Sequence, residues 1–157
     1  MALFEKHLYV AESNIPNAGR GLFTRVFIPK GESVVEYKGR KTTWKEVESD
    51  EVDNLYIMYV TADNVIDANK HKKALARYAN DANGLTKVKG LKNNGHYVHD
   101  EDGRVYLEAK RDIEAGEEIF VGYGKDYWDT IRKNMKIDSD REKKPQKQTK
   151  KATKKTK

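Results

Sequence analysis

Three places in this chain hold residues whose types and spacing could do chemistry. Gly19-Arg20-Gly21 sets two glycines two positions apart. Such a loop tolerates positive φ and lets its backbone come close to a bound molecule, because no side chain stands in the way. On its own, Gly-x-Gly reads as an ordinary hairpin loop. Asn80-Asp81-Ala82-Asn83-Gly84 is a second polar string, and on its own it reads as a helix terminus and turn, since Asn and Asp bond their own backbone. Tyr37 and Tyr123 offer phenolic hydroxyls that can donate or accept a hydrogen bond; the plainer reading of each is a strand or core tyrosine. The chain has no cysteine, which excludes disulfides and thiolate metal sites. His7, His71, His96 and His99 have no ligand-like spacing. Only His96 and His99 are close, and on a strand they point to opposite faces, so no metal site is expected.

The elements that must position these residues are short. Residues 8–12 (LYVAE) and 22–28 (LFTRVFI) read as strands flanking the 17–21 loop. Pro29-Lys30-Gly31-Glu32 is a turn into a third strand, Ser33 to Tyr37, that ends at Gly39. Thr42 or Thr43 caps a short helix through Trp44 and Val47, then come an apolar run, Leu55 to Val60, and a brief strand, Asn64 to Asp67. Lys72 to Tyr78 has weak helical character. His96 to His99 and Arg104 to Ala109 form a hairpin around Asp100-Glu101-Asp102-Gly103, with Val105, Leu107 and Ala109 on one face. After a turn at Glu114-Ala115-Gly116-Glu117, residues 118–123 make a last strand on which Ile119, Val121 and Tyr123 share a face. A terminal helix is expected over Tyr127 to Met135. The fold class is therefore mainly β with short helices.

At 157 residues the chain suits one domain plus a tail. Residues 141–157 carry nine Lys or Arg against one acid, a charge of +8, which leaves residues 1–140 at −2. The basic excess sits wholly in the tail, so the nucleic-acid reading that a pI near 9.3 invites applies to the tail alone. Residues 136–157 are too polar to bury a core and are expected to be disordered. The first residues lack an apolar leader core, and no stretch approaches a membrane-spanning length. The expectation is an intracellular protein, cytoplasmic or associated with a nucleus or nucleoid, with no membrane contact.

Three segments, in order, resemble the SET domain of protein lysine methyltransferases. Gly19-Arg20-Gly21-Leu22-Phe23, with Pro29-Lys30-Gly31-Glu32 and Val34-Val35-Glu36-Tyr37-Lys38-Gly39, is similar to the family's opening glycine motif and second strand. Ala76-Arg77-Tyr78-Ala79-Asn80-Asp81 is similar to its Arg-Phe-x-Asn-His-Ser segment, with Asp81 at the usual histidine. Asn93-Asn94 stands after a lysine-rich insertion where the family has Pro-Asn, or is a plain polar loop. Val105 to Ile113 with Ala115 to Gly124 resembles the final strand pair. The order of the blocks carries the resemblance.

The resemblance implies a SET-domain fold of small twisted sheets with a C-terminal pseudoknot over residues 1–135, an insert at about 41–64 that governs substrate choice, and a basic tail over 136–157. It implies transfer of a methyl group from S-adenosylmethionine to a lysine amine of a protein substrate, a histone or another basic protein. Catalysis falls to Tyr123, with Tyr37 lining the same channel. Cofactor binding falls to Gly19, Arg20, Gly21, Leu22, Tyr78, Asn80, Asp81 and Trp128. Alternatives stay open at two of these: Tyr37 as an amphipathic strand residue, and Trp128 as a core anchor of the last helix. The competing functions are a catalytically inactive SET-like module that binds cofactor or peptide, and a nucleic-acid-associated protein holding DNA or RNA through residues 141–157. The Thr149-Lys150-Lys151-Ala152-Thr153-Lys154 string resembles histone-type tails and could itself be a substrate.

Overall fold

Alternation of apolar and polar residues sets most of the strands. The computed structural model describes residues 3–49, 56–124, 128, 132, 133 and 136. The strands are β1 (Leu8–Glu12), β2 (Arg20–Thr24), β3 (Ser33–Glu36), β4 (Arg40–Thr42), β5 (Ile57–Thr61), β6 (Asn64–Asp67), β7 (Gly95–His99), β8 (Val105–Ala109) and β9 (Glu118–Ile119), with a helix, α1 (Trp44–Ser49), and a 3-10 turn at Leu75–Tyr78. They form three antiparallel sheets ordered β1-β2-β9, β3-β8-β7 and β4-β6-β5. The chain divides into two compact units, Met1–Gly122 and Tyr123–Lys157, and all three sheets belong to the first.

β1 and β2 pair from Leu8↔Thr24 to Glu12↔Arg20, and β2 passes on to β9 through Leu22↔Ile119 and Phe23↔Glu118. Leu22 and Ile119 are fully buried, and side chains of that size contribute about 1.5–3 kcal/mol each. β8 shows the expected alternation, Val105, Leu107 and Ala109 being buried and Tyr106 and Glu108 half-buried. β3 departs from it: Val34 and Val35 are both buried. A register shift lies between Ser33 and Val35, and such an irregularity lets neighbouring side chains leave strict alternation. The third sheet is drawn from residues 40–67, with β6 central between β4 and β5.

Two strand expectations change. The strand expected over 22–28 ends at Thr24, whose hydroxyl donates to Val26 O at 2.7 Å and accepts Val26 N–H at 3.1 Å, a local turn that takes the backbone off the ladder. Ile28 then makes an isolated bridge with Ile113. The strand expected over 118–123 pairs antiparallel only at Glu118–Ile119, after which Phe120 and Val121 make parallel bridges to Asn80 and Gly95. Covered on both sides, Ile119, Phe120 and Val121 are all buried. The last segment thus lies beside both the Asn80 and the Gly95 segments, which brings sequence-distant chain together.

The weak helix expected over 72–78 is the single 3-10 turn, which packs against β1, β2 and β3. Of the expected terminal helix, Trp128, Arg132 and Lys133 are helical; its other residues, and the expected tail apart from Lys136, lie outside the described residues. In the second unit Tyr123 and Trp128 stack with ring centroids 5.8 Å apart and planes 13° from parallel.

Candidate active site

The site is built around a carboxylate that sequence reading passed over. Glu118 is 3% exposed. Its Oε2 accepts the Ser13 hydroxyl at 2.7 Å and Asn80 Nδ2 at 3.5 Å, and its Oε1 accepts the Asn14 N–H at 2.7 Å. Asn80 Nδ2 also donates to Arg20 O at 2.9 Å. The glycine loop, the Asn80 segment and the last strand therefore meet at one group. A glutamate beside another in a turn-to-strand sequence reads as solvent-facing, and only the pairing Phe23↔Glu118 turns it inward.

The two loop glycines have different reasons. Gly19 has φ +73°, and a Cβ there would meet nothing within 4 Å, so the need is conformational and the backbone stays open beside it. A Cβ on Gly21 would lie 2.3 Å from Glu118 Oε2. Its missing side chain is the space the carboxylate occupies, an internal reason in place of the expected approach to a ligand. A cleft of about 490 Å³ opens along this loop, lined by Glu12, Ser13, Pro16, Gly19 and Arg20 among others.

Asp81 is buried. Its Oδ1 accepts Asn83 N–H at 2.8 Å and Asn93 Nδ2 at 2.9 Å, and Asn93 Oδ1 accepts Ala82 N–H at 2.8 Å. Asn94 Nδ2 donates to Glu118 O at 2.9 Å while its Oδ1 accepts Phe120 N–H at 2.8 Å. Asn93 and Asn94 lie in the loop before β7; both are buried and tie the Asp81 turn and the last strand together. Val121 N–H donates to Asn80 O at 2.8 Å, which continues that seam to within two residues of Tyr123.

The remaining expected residues lie as follows. Leu22 is fully buried, so its side chain serves the core. Tyr78 donates its hydroxyl to Lys72 O at 2.8 Å. Next to it, Arg77 lies 3.8 Å over the Tyr56 ring and donates to Ala68 O and Asn69 O at 2.8 and 2.9 Å, joining the 3-10 turn to the β4-β6-β5 sheet. Tyr37 is 6% exposed; its N–H extends the β3-β8 ladder to Val105 O at 2.8 Å, and its ring meets Tyr97 edge-on at 5.8 Å. Tyr123 and Trp128 belong to the second unit.

Comparison with known proteins points to one family. The chain is 32% identical over 130 residues to histone-lysine N-methyltransferase set-1 of Caenorhabditis elegans, a span of 74% of this chain and 50% of that protein. It is 29% identical over 123 residues to N-lysine methyltransferase KMT5A-A of Danio rerio, 70% of this chain and 33% of that protein. The N-lysine methyltransferase KMT5A of Xenopus tropicalis matches at 29% over 123 residues, 70% of this chain and 34% of the relative. The chain thus spans half or less of the length of these curated relatives. The family model for the SET domain matches residues 19–124, from the first loop glycine to the residue after Tyr123, and by that match together with its small antiparallel sheets the chain belongs to the SET-domain family.

Proposed function

We propose that this chain transfers a methyl group from S-adenosylmethionine to the side-chain amine of lysine in a protein substrate, a histone or another basic protein. The observation that carries the reading is the joining of the glycine loop, Asn80 and the last strand around Glu118. These are the segments that hold the cofactor in this reading. Their chemistry fits it: an accessible loop backbone at Gly19 and a cleft of about 490 Å³ along the same loop. Gly19, Arg20, Gly21 and Leu22 would hold the cofactor through backbone, Asn80 and Asp81 through their turn, and Tyr78 and Trp128 through their rings. Bound there, S-adenosylmethionine supplies an electrophilic methyl group on a sulfonium.

What the protein must add is alignment and a neutral amine. A free lysine has a pKa near 10.4, so only about one in 10³ to 10⁴ is deprotonated at neutral pH. An apolar channel lowers that value by disfavouring the ammonium form. In this reading Tyr123 orients the amine through its hydroxyl, and Tyr37, on its edge-on contact with Tyr97, walls the same channel. In-line displacement needs no metal and no covalent enzyme intermediate, so positioning and exclusion of water supply the rate.

The substrate is a lysine-bearing basic protein, attracted by the −2 charge of residues 1–140, and selected by the β4-β6-β5 insert. No helix among the described residues is long and apolar enough to cross a membrane; an intracellular site, cytoplasmic or beside nucleic acid, follows from the substrate. The domain of this reading is residues 1–135, with 136–157 as its basic tail.

The test is incubation with radiolabelled S-adenosylmethionine and histones or other basic proteins, then the same with Tyr123→Phe. Label on lysine that falls about 10²-fold or more in the variant, within the usual contribution of a positioned side chain, supports the reading. Cofactor binding by calorimetry without transfer to any basic protein establishes the inactive module instead.

A further inference from the structure

Glu118 holds more of the site than any residue assigned a role above. Both of its oxygens are engaged, one by Ser13 and Asn80 and the other by the Asn14 N–H. Ser13 Oγ passes the chain of hydrogen bonds onward by accepting Ile15 N–H at 3.1 Å, and Ser13 N–H donates to Gly19 O at 2.8 Å. Both ends of the 13–19 loop are thus referred to the same carboxylate. The carboxylate is itself fixed: Glu118 pairs with Phe23, its carbonyl accepts Asn94 Nδ2 at 2.9 Å, and Gly21 leaves it room.

We propose that Glu118 and Ser13 form a latch by which the last strand sets the 13–19 loop and Asn80 in the cofactor-binding conformation, making both of them positioning residues. The inference rests on the cofactor site read above. A carboxylate suits the role because it accepts on both oxygens at once. Glutamine offers one acceptor and one donor, so in Glu118→Gln either the Asn14 N–H or the Ser13 and Asn80 side faces a donor, and a buried donor left unmatched is costly. Ser13→Ala removes the hydroxyl that both donates to Glu118 and accepts from Ile15.

The experiment uses the full chain with Glu118→Gln, Ser13→Ala and Ser13→Thr. Amide hydrogen exchange reads the latch without any ligand, calorimetry with S-adenosylmethionine reads the site, and steady-state kinetics separates KM from kcat. The expected result is exchange at Asn14 and Ile15 faster by about tenfold in Glu118→Gln and Ser13→Ala. Cofactor Kd and KM rise by about tenfold as well, with kcat at saturating cofactor within twofold. Ser13→Thr, which keeps the hydroxyl, restores both. Folded variants whose Kd and exchange stay within twofold of the parent overturn the latch, and so does a fall in Tm with Kd unchanged. If Glu118→Gln fails to fold, Ser13→Ala decides alone. A parent chain that binds no cofactor overturns both the latch and the function. One that binds cofactor yet methylates no lysine overturns only the function, and the latch is then judged on Kd and exchange.

Discussion

Asp81 is the residue at which this chain departs from the motif it resembles, and its surroundings are built for an aspartate. The carboxylate takes two donors, Asn83 N–H and Asn93 Nδ2, and Asn93 returns an acceptor to Ala82 N–H. A histidine ring could not accept from both donors through one atom in the same way, so the aspartate and Asn93 belong together as a pair that closes the 81–93 loop. Asp81→Ala is expected to lower stability by about 1–3 kcal/mol, because it leaves the buried Asn93 amide unmatched. The double variant Asp81→Ala with Asn93→Ala removes both partners and is expected to cost less than the sum of the two single losses by about 1 kcal/mol in urea denaturation. Losses that simply add would refute the pairing. The identity of this residue was legible in the sequence only as a departure from a pattern. Its partner, twelve positions on, was not legible, because Asn93 and Asp81 both carry the polar, turn-forming signature that any surface loop carries.

Elements whose partners lie next to them in sequence were legible, and those with remote partners were not. The β7-β8 hairpin follows from its acidic turn and from Val105, Leu107 and Ala109 at every second position. β9 carries the same alternation but obeys it for only two residues, since Phe120 and Val121 take new partners at Asn80 and Gly95, and no local pattern specifies a segment some 26 or 40 residues away. Glu118 was missed for the same reason: its polarity points outward until the threading of the last strand encloses it. Asn94 is what holds that threading by side chain, acting as a length of backbone, donating to Glu118 O and accepting from Phe120 N–H while its own N–H meets Phe120 O at 3.1 Å. Asn94→Ala strips a partner from two buried main-chain groups and is expected to cost about 2–4 kcal/mol. Hydrogen exchange at Phe120 should rise with the global loss or beyond it. A loss below 0.5 kcal/mol, an estimate for an exposed substitution, would show that water replaces the amide and that β9 is held by its strand pairing alone.

The charge of the whole molecule is divided by region more sharply than its pI near 9.3 suggests. Residues 1–140 sum to −2 and residues 141–157 to +8, and the latter lie outside the described residues. The SET match ends at Gly124, so methyl transfer and any phosphate contact are assigned to separate stretches and should be separable by truncation. Any affinity of the full chain for duplex DNA is expected to be lost when residues 141–157 are removed, while kcat for a short lysine peptide stays within twofold. The salt dependence gives the mechanism: each phosphate neutralised contributes about 0.9 to the slope of log affinity against log salt, so the full chain should show a steep slope and the truncated chain one near zero. The same pair of proteins tests the tail as substrate. If Lys150, Lys151 or Lys154 is modified in cis, the full chain incubated alone gains label in the 141–157 peptide at a rate per molecule that does not change with protein concentration. A rate that rises with concentration means one molecule modifies another, and label that appears only on added protein removes the tail from the substrate list.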